Sequence, residues 1–213
     1  MKIAELEQDL KFIRQTVESS SRYLNIPSSG YILTGMLGLA GTWGTYLYLG
    51  KAKVLDTTLL TPTDVQKLVM IWGIVFLAAV GSVTVCAWNK ARRHNRSAWN
   101  SLAARMLRSQ IPLVLMVGAL TLAMALEGYY SVIPGMWLGI YGTVLYSFSY
   151  FTSVEHKIEG IAFMGLGVVT LFVHGVAGLT CVGFGFGGIH LVAGIWRGIA
   201  GIKNDNLLST DVE

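Results

Sequence analysis

Residues 183–188 read Gly-Phe-Gly-Phe-Gly-Gly, the G-x-G-x-x-G spacing with which many enzymes hold the pyrophosphate of a dinucleotide. That chemistry needs a buried strand before the glycines and a helix that opens at them. Here one apolar stretch of helix length precedes the glycines, and they continue into another. We therefore expect these glycines to pack helices together and not to bind a nucleotide.

His190 follows the glycines and is the second candidate for chemistry. It lies near the middle of the last apolar stretch, where an ionisable side chain is a candidate functional group. It could line a ligand path, or it could be a neutral imidazole hydrogen bonded to a hydroxyl of a neighbouring helix. The hydroxyls considered are those of Tyr141, Tyr146 and Thr143. His190, Tyr141, Tyr146 and His174 are the predicted ligand or polar-network residues.

The other histidines do not suggest a metal or haem site. A b-type haem needs two axial ligands at one depth, whereas His174 and His190 differ in depth by about 10 Å at 1.5 Å per residue. We expect His94 and His156 at the cytoplasmic surface. The sequence has no H-E-x-x-H motif and no carboxylate deep in an apolar stretch. It therefore predicts a non-enzyme with no metal and no cofactor.

Membrane helices are the elements that must position these residues. Of the 213 residues, 53% are apolar and 13% are charged, against about a quarter charged in soluble domains. The apolar residues form stretches of about 20 residues, the length that crosses a bilayer. The stretches are 29–50, 67–88, 109–127, 132–152, 158–176 and 180–200. We predict an all-α polytopic membrane protein with six transmembrane helices.

Small residues recur on one face of several of these helices. Such stripes let membrane helices approach closely, because packing replaces the hydrophobic effect in lipid. The predicted packing residues are Gly38 and Gly41 in the first span, Gly135, Gly139 and Gly142 in the fourth, and Gly183, Gly187, Gly194 and Gly198 in the sixth. The prolines lie at or near span starts, so we expect regular helices.

The distribution of basic residues predicts the orientation. Of the 16 Lys and Arg residues, only Lys51, Lys53 and Lys67 fall on the side opposite the termini. Lys and Arg accumulate on the cytoplasmic side of membrane proteins. Both termini are therefore predicted to be cytoplasmic. The predicted domains are a helix and linker over 1–28, the bundle over 29–203 and a tail over 204–213.

Two cytoplasmic segments are predicted to contact partners. Residues 3–18 have an apolar seam at heptad spacing that includes Leu6, Leu10 and Ile13. A short helix of this kind is marginal alone, so we expect a protein partner or a second copy to cover it. The loop over 89–108 is basic, and its Arg92, Arg93 and Arg96 are predicted to contact anionic lipid. Nucleic-acid binding is not expected, because the loop is short and lies against the bilayer.

Two stretches resemble a known kind of protein. The sequences IPGMWLGIYG at 133–142 and GFGGIHLVAGI at 185–195 are similar to parts of an uncharacterised family of bacterial six-helix integral membrane proteins. The resemblance implies the same topology and a location in the bacterial inner membrane. It implies no activity and no catalytic residue.

Three functions are compatible with these features. The leading hypothesis is a non-catalytic sensor, regulator or subunit of a membrane assembly. The alternative is a carrier or channel for a small neutral solute, with His190 in the path. A weaker alternative is a redox subunit that binds haem or quinone.

The leading hypothesis predicts that residues 3–18 hold a complex together. Changing Leu6, Leu10 and Ile13 together to Ser removes the apolar seam. This change should abolish self-association, or it should abolish co-purification of the partner protein. The measurement is the mass of the complex purified from native membranes in mild detergent. An unchanged mass and unchanged co-purifying proteins would contradict the hypothesis.

Overall fold

The computed structural model describes residues 27–93, 101–150, 152–173 and 175–210, and for 101–103, 106, 176 and 201–210 it describes the backbone alone. The described residues are almost entirely helical. The helices are α1 (Ser28–Leu55), α2 (Pro62–Arg93), α3 (Ser101–Leu126), α4 (Ile133–Ser149), α5 (Val154–Phe172), α6 (Val176–Val182) and α7 (His190–Thr210). A π-helical segment, Gly183–Ile189, joins α6 to α7 without a break. A short 3₁₀ turn, Thr57–Leu59, lies between α1 and α2.

Three helical stretches are long and apolar enough to cross a membrane. They are Pro62–Arg93, Leu107–Leu126 and Ala177–Ala200. The other predicted spans fall on helices that do not meet this standard by themselves. Helix α4 has 17 residues, which at 1.5 Å each is shorter than the roughly 30 Å of a hydrocarbon core. Helix α5 has three charged side chains in its first two turns, namely Glu155, Lys157 and Glu159.

The helices are less regular than the sequence led us to expect. The π segment replaces α-helix over the glycine-rich stretch, and Pro112 lies inside α3. Helix α1 is interrupted at Gly50, whose φ of 69° is accessible to glycine at little cost. Much of the expected basic loop is helix, because α2 continues to Arg93 and α3 begins at Ser101.

Helices α4 and α5 form the most extensive contact of the bundle. Glycines on both helices bring the two backbones together. A Cβ on Gly142 would lie 2.6 Å from the backbone nitrogen of Met164, and one on Gly160 would lie 2.6 Å from that of Tyr146. A Cβ on Gly167 would lie 2.5 Å from the backbone nitrogen of Gly139. Any larger residue at these positions would therefore force the helices apart.

Helix α1 packs in the same way against the π segment and α7. A Cβ on Gly38 would lie 2.5 Å from the carbonyl oxygen of Phe186, and one on Gly35 would lie 2.9 Å from that of Gly187. Further along, a Cβ on Gly194 would lie 2.9 Å from the backbone nitrogen of Ile32. The core between these two contacts contains Leu138, Leu145, Phe163 and Val182.

Helices α2 and α3 lie at the periphery. Helix α2 packs mainly against α1, and α3 makes only a small contact with α4. The start of α2 is fixed by a capping box: the Asp64 backbone N–H donates to Thr61 Oγ1, and the Thr61 backbone N–H donates to the Asp64 carboxylate. Lys53 at the end of α1 donates to the same carboxylate over 2.7 Å. This clamp joins α1 to α2 at the end of the bundle opposite the basic segments.

The turn before that clamp is also held by a carboxylate. The Thr58 hydroxyl donates to Asp56 Oδ1 over 2.6 Å, and the Thr58 backbone N–H donates to the same oxygen over 3.0 Å. These bonds, the hydroxyl first, hold the pKa of Asp56 below its usual range. The connection between α1 and α2 is therefore ordered by local side-chain bonds.

The α4–α5 contact predicts a sharp difference between two glycines on one helix. Gly142→Ala places a methyl against the backbone of α5 and should destabilise the protein by about 1–3 kcal/mol, the usual cost of overpacking. Gly139→Ala is the matched control, since a Cβ there meets nothing within 4 Å. Its effect should be neutral or mildly stabilising, because Ala is the better helix former. Equal thermal midpoints for the two variants in detergent would contradict this packing.

Candidate functional site

A buried ion pair joins the start of α5 to the middle of α7. Arg197 Nη1 lies 2.6 Å from Glu159 Oε1, and the two side chains are 13% and 10% exposed. The approach is close, but its angles are not those of a hydrogen bond, and Arg197 Nη2 has no hydrogen-bond partner among the described residues. The contact is therefore primarily electrostatic. Each charge is costly to bury alone, and each compensates the other.

Tyr31 of α1 completes this site from a third helix. The Arg197 guanidinium lies 4.0 Å above the centre of the Tyr31 ring, a cation–π contact. The Tyr31 hydroxyl donates to Glu159 Oε2 over 3.4 Å. Tyr31 itself is only 3% exposed. The three helices α1, α5 and α7 thus meet at one tyrosine, one carboxylate and one guanidinium.

His156 extends the network by one residue. Its Nε2 lies 2.9 Å from the Tyr31 hydroxyl, and its Nδ1 lies 2.9 Å from the Ser153 hydroxyl. Because the Tyr31 proton is directed to Glu159, we assign the ring proton to Nε2, which then donates to Tyr31. The result is a chain of hydrogen bonds from Ser153 through His156 and Tyr31 to the carboxylate. We name Tyr31, His156, Glu159 and Arg197 the polar latch.

His190 lies in a separate aromatic environment beside the latch. Its Nε2 is hydrogen bonded to the Tyr141 hydroxyl at 2.8 Å. The Phe163 ring meets it edge-on at 5.3 Å between centroids, and the Phe186 ring stacks at 6.5 Å. The Tyr31 ring is 5.8 Å away. His190 is 3% exposed, so its imidazole is enclosed by rings.

The π segment explains how His190 reaches this position. Its wider turn replaces i→i+4 bonds with i→i+5 bonds, which shifts every later residue around the helix axis. No described residue makes a hydrogen bond of good geometry to His190 Nδ1. Single π turns of this kind are frequent at functional sites.

The aromatic rings around His190 leave no open path to its imidazole. The imidazole, Tyr141 and both phenylalanine rings are in mutual contact, so a solute could reach His190 only after the helices separate. Among the described residues no group of three or more His, Cys, Asp or Glu side chains is placed to hold a metal ion. The site therefore has the properties of a structural and electrostatic junction.

The structure brings some of the predicted site residues together and separates others. Tyr141 is the hydroxyl that contacts His190. Tyr146 lies elsewhere, with its hydroxyl 3.5 Å from that of Tyr150 and the Lys157 ammonium 5.8 Å from its ring. His174 lies outside the described residues.

Most of the predicted packing glycines lie at close contacts between helices. Gly41 faces Val75 of α2 at 2.9 Å, Gly135 faces Leu171 at 2.8 Å and Gly183 faces Thr42 at 3.0 Å, each measured from an added Cβ. Gly187 and Gly194 face α1. A Cβ on Gly198 would make an ordinary contact of 3.8 Å with Ser28, and one on Gly139 would meet nothing within 4 Å.

The predicted partner and lipid residues are only partly described. Leu6, Leu10 and Ile13 lie outside the described residues, as does Arg96. Arg92 and Arg93 are exposed in the last turn of α2. Their proposed contact with lipid stays a prediction.

The sequence analysis missed the polar latch. His156 was expected at the cytoplasmic surface and is instead 3% exposed, because Tyr31 and Ser153 satisfy both ring nitrogens inside the bundle. Glu159 and Arg197 lie near the ends of the predicted spans 158–176 and 180–200 and are not among the predicted site residues. One feature of the sequence could have indicated this contact: two apolar spans each carry one charge, and the two charges have opposite sign. A charge in a membrane helix usually has a partner.

Comparison with known proteins does not assign a family. No protein-family model, curated protein or solved structure matches this chain. The resemblance of 133–142 and 185–195 to bacterial membrane proteins stays a prediction.

The latch predicts that Glu159 and Arg197 depend on each other. Glu159→Gln leaves the guanidinium buried without its counter-charge and should destabilise the protein by about 3 kcal/mol. This value is at the lower end of the range for a broken buried ion pair, because both side chains are slightly exposed. Adding Arg197→Gln should recover more than half of that loss. Glu155→Gln, an exposed carboxylate on the same helix, should change stability by less than about 0.5 kcal/mol. Additive losses in the double variant, measured by denaturant titration in detergent, would refute the coupling.

Proposed function

We propose that this protein is a non-catalytic subunit or regulator of a membrane assembly. We place it in the bacterial inner membrane, with six membrane-spanning helices and both termini in the cytoplasm. The excess of basic residues on the side of the termini supports this orientation. The observation that carries the functional proposal is the large exposed apolar surface of α2, which packs mainly against α1.

Helix α2 is the most apolar candidate span, and none of its most apolar 18-residue window is buried within the chain. Ile74 and Leu77 on it are 65% and 70% exposed. Lipid alone would cover such a surface. However, α2 also carries Gly73 and Gly81, where a Cβ would meet nothing within 4 Å.

Those two glycines favour a protein partner over lipid. Glycine inside a helix costs about 1 kcal/mol relative to alanine. In membranes small residues offset that cost where another helix approaches closely. Within this chain, Gly35, Gly38, Gly142 and Gly160 all have such a neighbour. By the same physics, Gly73 and Gly81 are positioned for a helix of a second copy or of another membrane protein.

The closed site around His190 gives the solute carrier less support. The imidazole is packed against four aromatic rings, and its Nε2 is already bonded to Tyr141. A carrier would need to open this packing in each transport cycle. The assembly proposal needs no such opening.

The proposal predicts that bulk on α2 disrupts assembly and leaves the fold intact. Gly73→Leu with Gly81→Leu should weaken the complex by about tenfold or more, since blocking close approach costs at least roughly 1.4 kcal/mol. The thermal midpoint of the protomer should not fall, because both positions face open space. The measurement is the distribution of complex masses in lipid nanodiscs across a dilution series.

Gly165→Leu is the matched control, because a Cβ there also meets nothing within 4 Å, but α5 already packs extensively against α4. It should leave the complex unchanged. If neither the α2 pair nor the control changes the mass distribution, α2 faces lipid and the assembly proposal loses its structural basis.

A further inference from the structure

A groove lies between α3 and α4 and is independent of the polar latch. It has a volume of about 270 Å³ and is lined by Ser109, Gln110, Leu113, Ile140, Thr143, Val144 and Ser147. The two helices are joined by a short turn at its far end, where Trp137 Nε1 donates to Thr121 Oγ1 over 3.0 Å. They make little further contact. The groove lies between this turn and the opposite ends of the two helices near Ser101 and Ser149.

The groove lining changes character along its length. Ser109, Gln110 and Ser147 lie toward the helix ends opposite the turn, and Leu113 and Ile140 lie deeper, toward the turn that joins the helices. The order follows from the antiparallel course of the two helices, since rising numbers on α3 correspond to falling numbers on α4. A polar mouth with an apolar interior matches the polarity gradient of one phospholipid.

A positive charge lies on α3 one turn beyond the polar end of the groove. Arg105, Ser109 and Leu113 are four residues apart and share one face of α3. Arg105 is exposed and lies one turn outside Ser109. Next to it, Arg108 Nε donates to the carbonyl of Ala104 over 3.2 Å and stays on the helix surface. Gln110 Nε2 donates to Ser109 Oγ over 3.1 Å, which leaves its second N–H for an acceptor at the mouth.

We propose that this groove binds one anionic phospholipid. The phosphate accepts hydrogen bonds from Arg105 and Gln110 at the mouth, and one acyl chain lies along Leu113, Ile140 and Val144. The hydroxyl oxygens of Thr143 and Ser147 line the level between them, where each hydroxyl already donates to the carbonyl of its own helix. The proposal does not depend on the assembly role of α2.

Charge favours a lipid headgroup over a partner helix as the occupant. Arg105 is exposed one turn beyond Ser109, and neither α3 nor α4 contains an acidic residue that could neutralise it. A void of this kind does not stay empty in a bilayer, because its lining would lose all contacts on one side.

The test uses delipidated full-length protein in detergent and titrates phosphatidylglycerol or phosphatidylcholine. Native mass spectrometry counts the bound lipids, and the thermal midpoint reports affinity. Wild type should bind one phosphatidylglycerol saturably and at least fivefold more tightly than phosphatidylcholine. Arg105→Gln should weaken phosphatidylglycerol about fivefold, the effect of one basic residue near a membrane surface. Ser147→Phe should abolish the site by filling the groove.

Lys157→Gln is the matched control, because it removes one positive charge from an exposed position at the start of α5, at the same end of the bundle. It should change affinity by less than twofold. Equal losses in the Lys157 and Arg105 variants would overturn the proposal in favour of general electrostatic attraction. Equal affinity for the two lipids, or a protein subunit retained in the groove, would also overturn it. If Ser147→Phe fails to fold, the comparison of the Lys157 and Arg105 variants still decides.

Discussion

Direct contact between helix backbones is the constraint on which the rest of this structure depends. In lipid the hydrophobic effect does not favour association of two apolar helices, because lipid tails are as apolar as the side chains. Van der Waals attraction at close range therefore stabilises the contact. Glycine at Gly142, Gly160 and Gly167 removes the side chains that would otherwise separate α4 from α5. Gly35 and Gly38 do the same between α1 and the π segment. The bundle core is thus two glycine-mediated contacts with a small apolar cluster between them.

The polar latch is a consequence of those contacts. Helices α1, α5 and α7 converge closely enough for Tyr31, Glu159 and Arg197 to meet. The charges of Glu159 and Arg197 cancel, which makes their joint burial tolerable where either alone would not be. The π segment adds a second adjustment by turning His190 toward Tyr141. A regular α-helix through 183–189 would place the imidazole at a different angle, so irregular backbone and buried polarity belong together here.

Sequence reasoning could predict the helical class and the helix-packing interpretation of the glycines because both follow from local rules. Runs of apolar residues give helices, and a GxGxxG without a preceding strand has no phosphate chemistry. It could not predict which residues meet across helices. His156 and Glu159 look like surface residues at the end of a span, and only the approach of Tyr31, 125 residues away from His156, makes them interior. The π segment could not be predicted, because prolines at span starts indicate regular helices and glycine is compatible with both kinds of turn.

The chain therefore divides into two mechanically different parts. Helices α1, α4 and α5, the π segment and α7 form a tightly packed unit with its polar groups paired. Helix α3 is attached mainly at one end, through the Trp137–Thr121 bond. Helix α2 packs on one side against α1, at Val75 as well as at the Lys53–Asp64 clamp, and exposes its other side. Motion in a packed interior is opposed by every contact it breaks, whereas a helix held at one end can adjust to what covers it. The enclosed packing that makes His190 a poor transport site belongs to the tightly packed unit. The exposed surfaces belong to α2 and α3. The protein is therefore a rigid unit that presents two helices to lipid or to a partner protein.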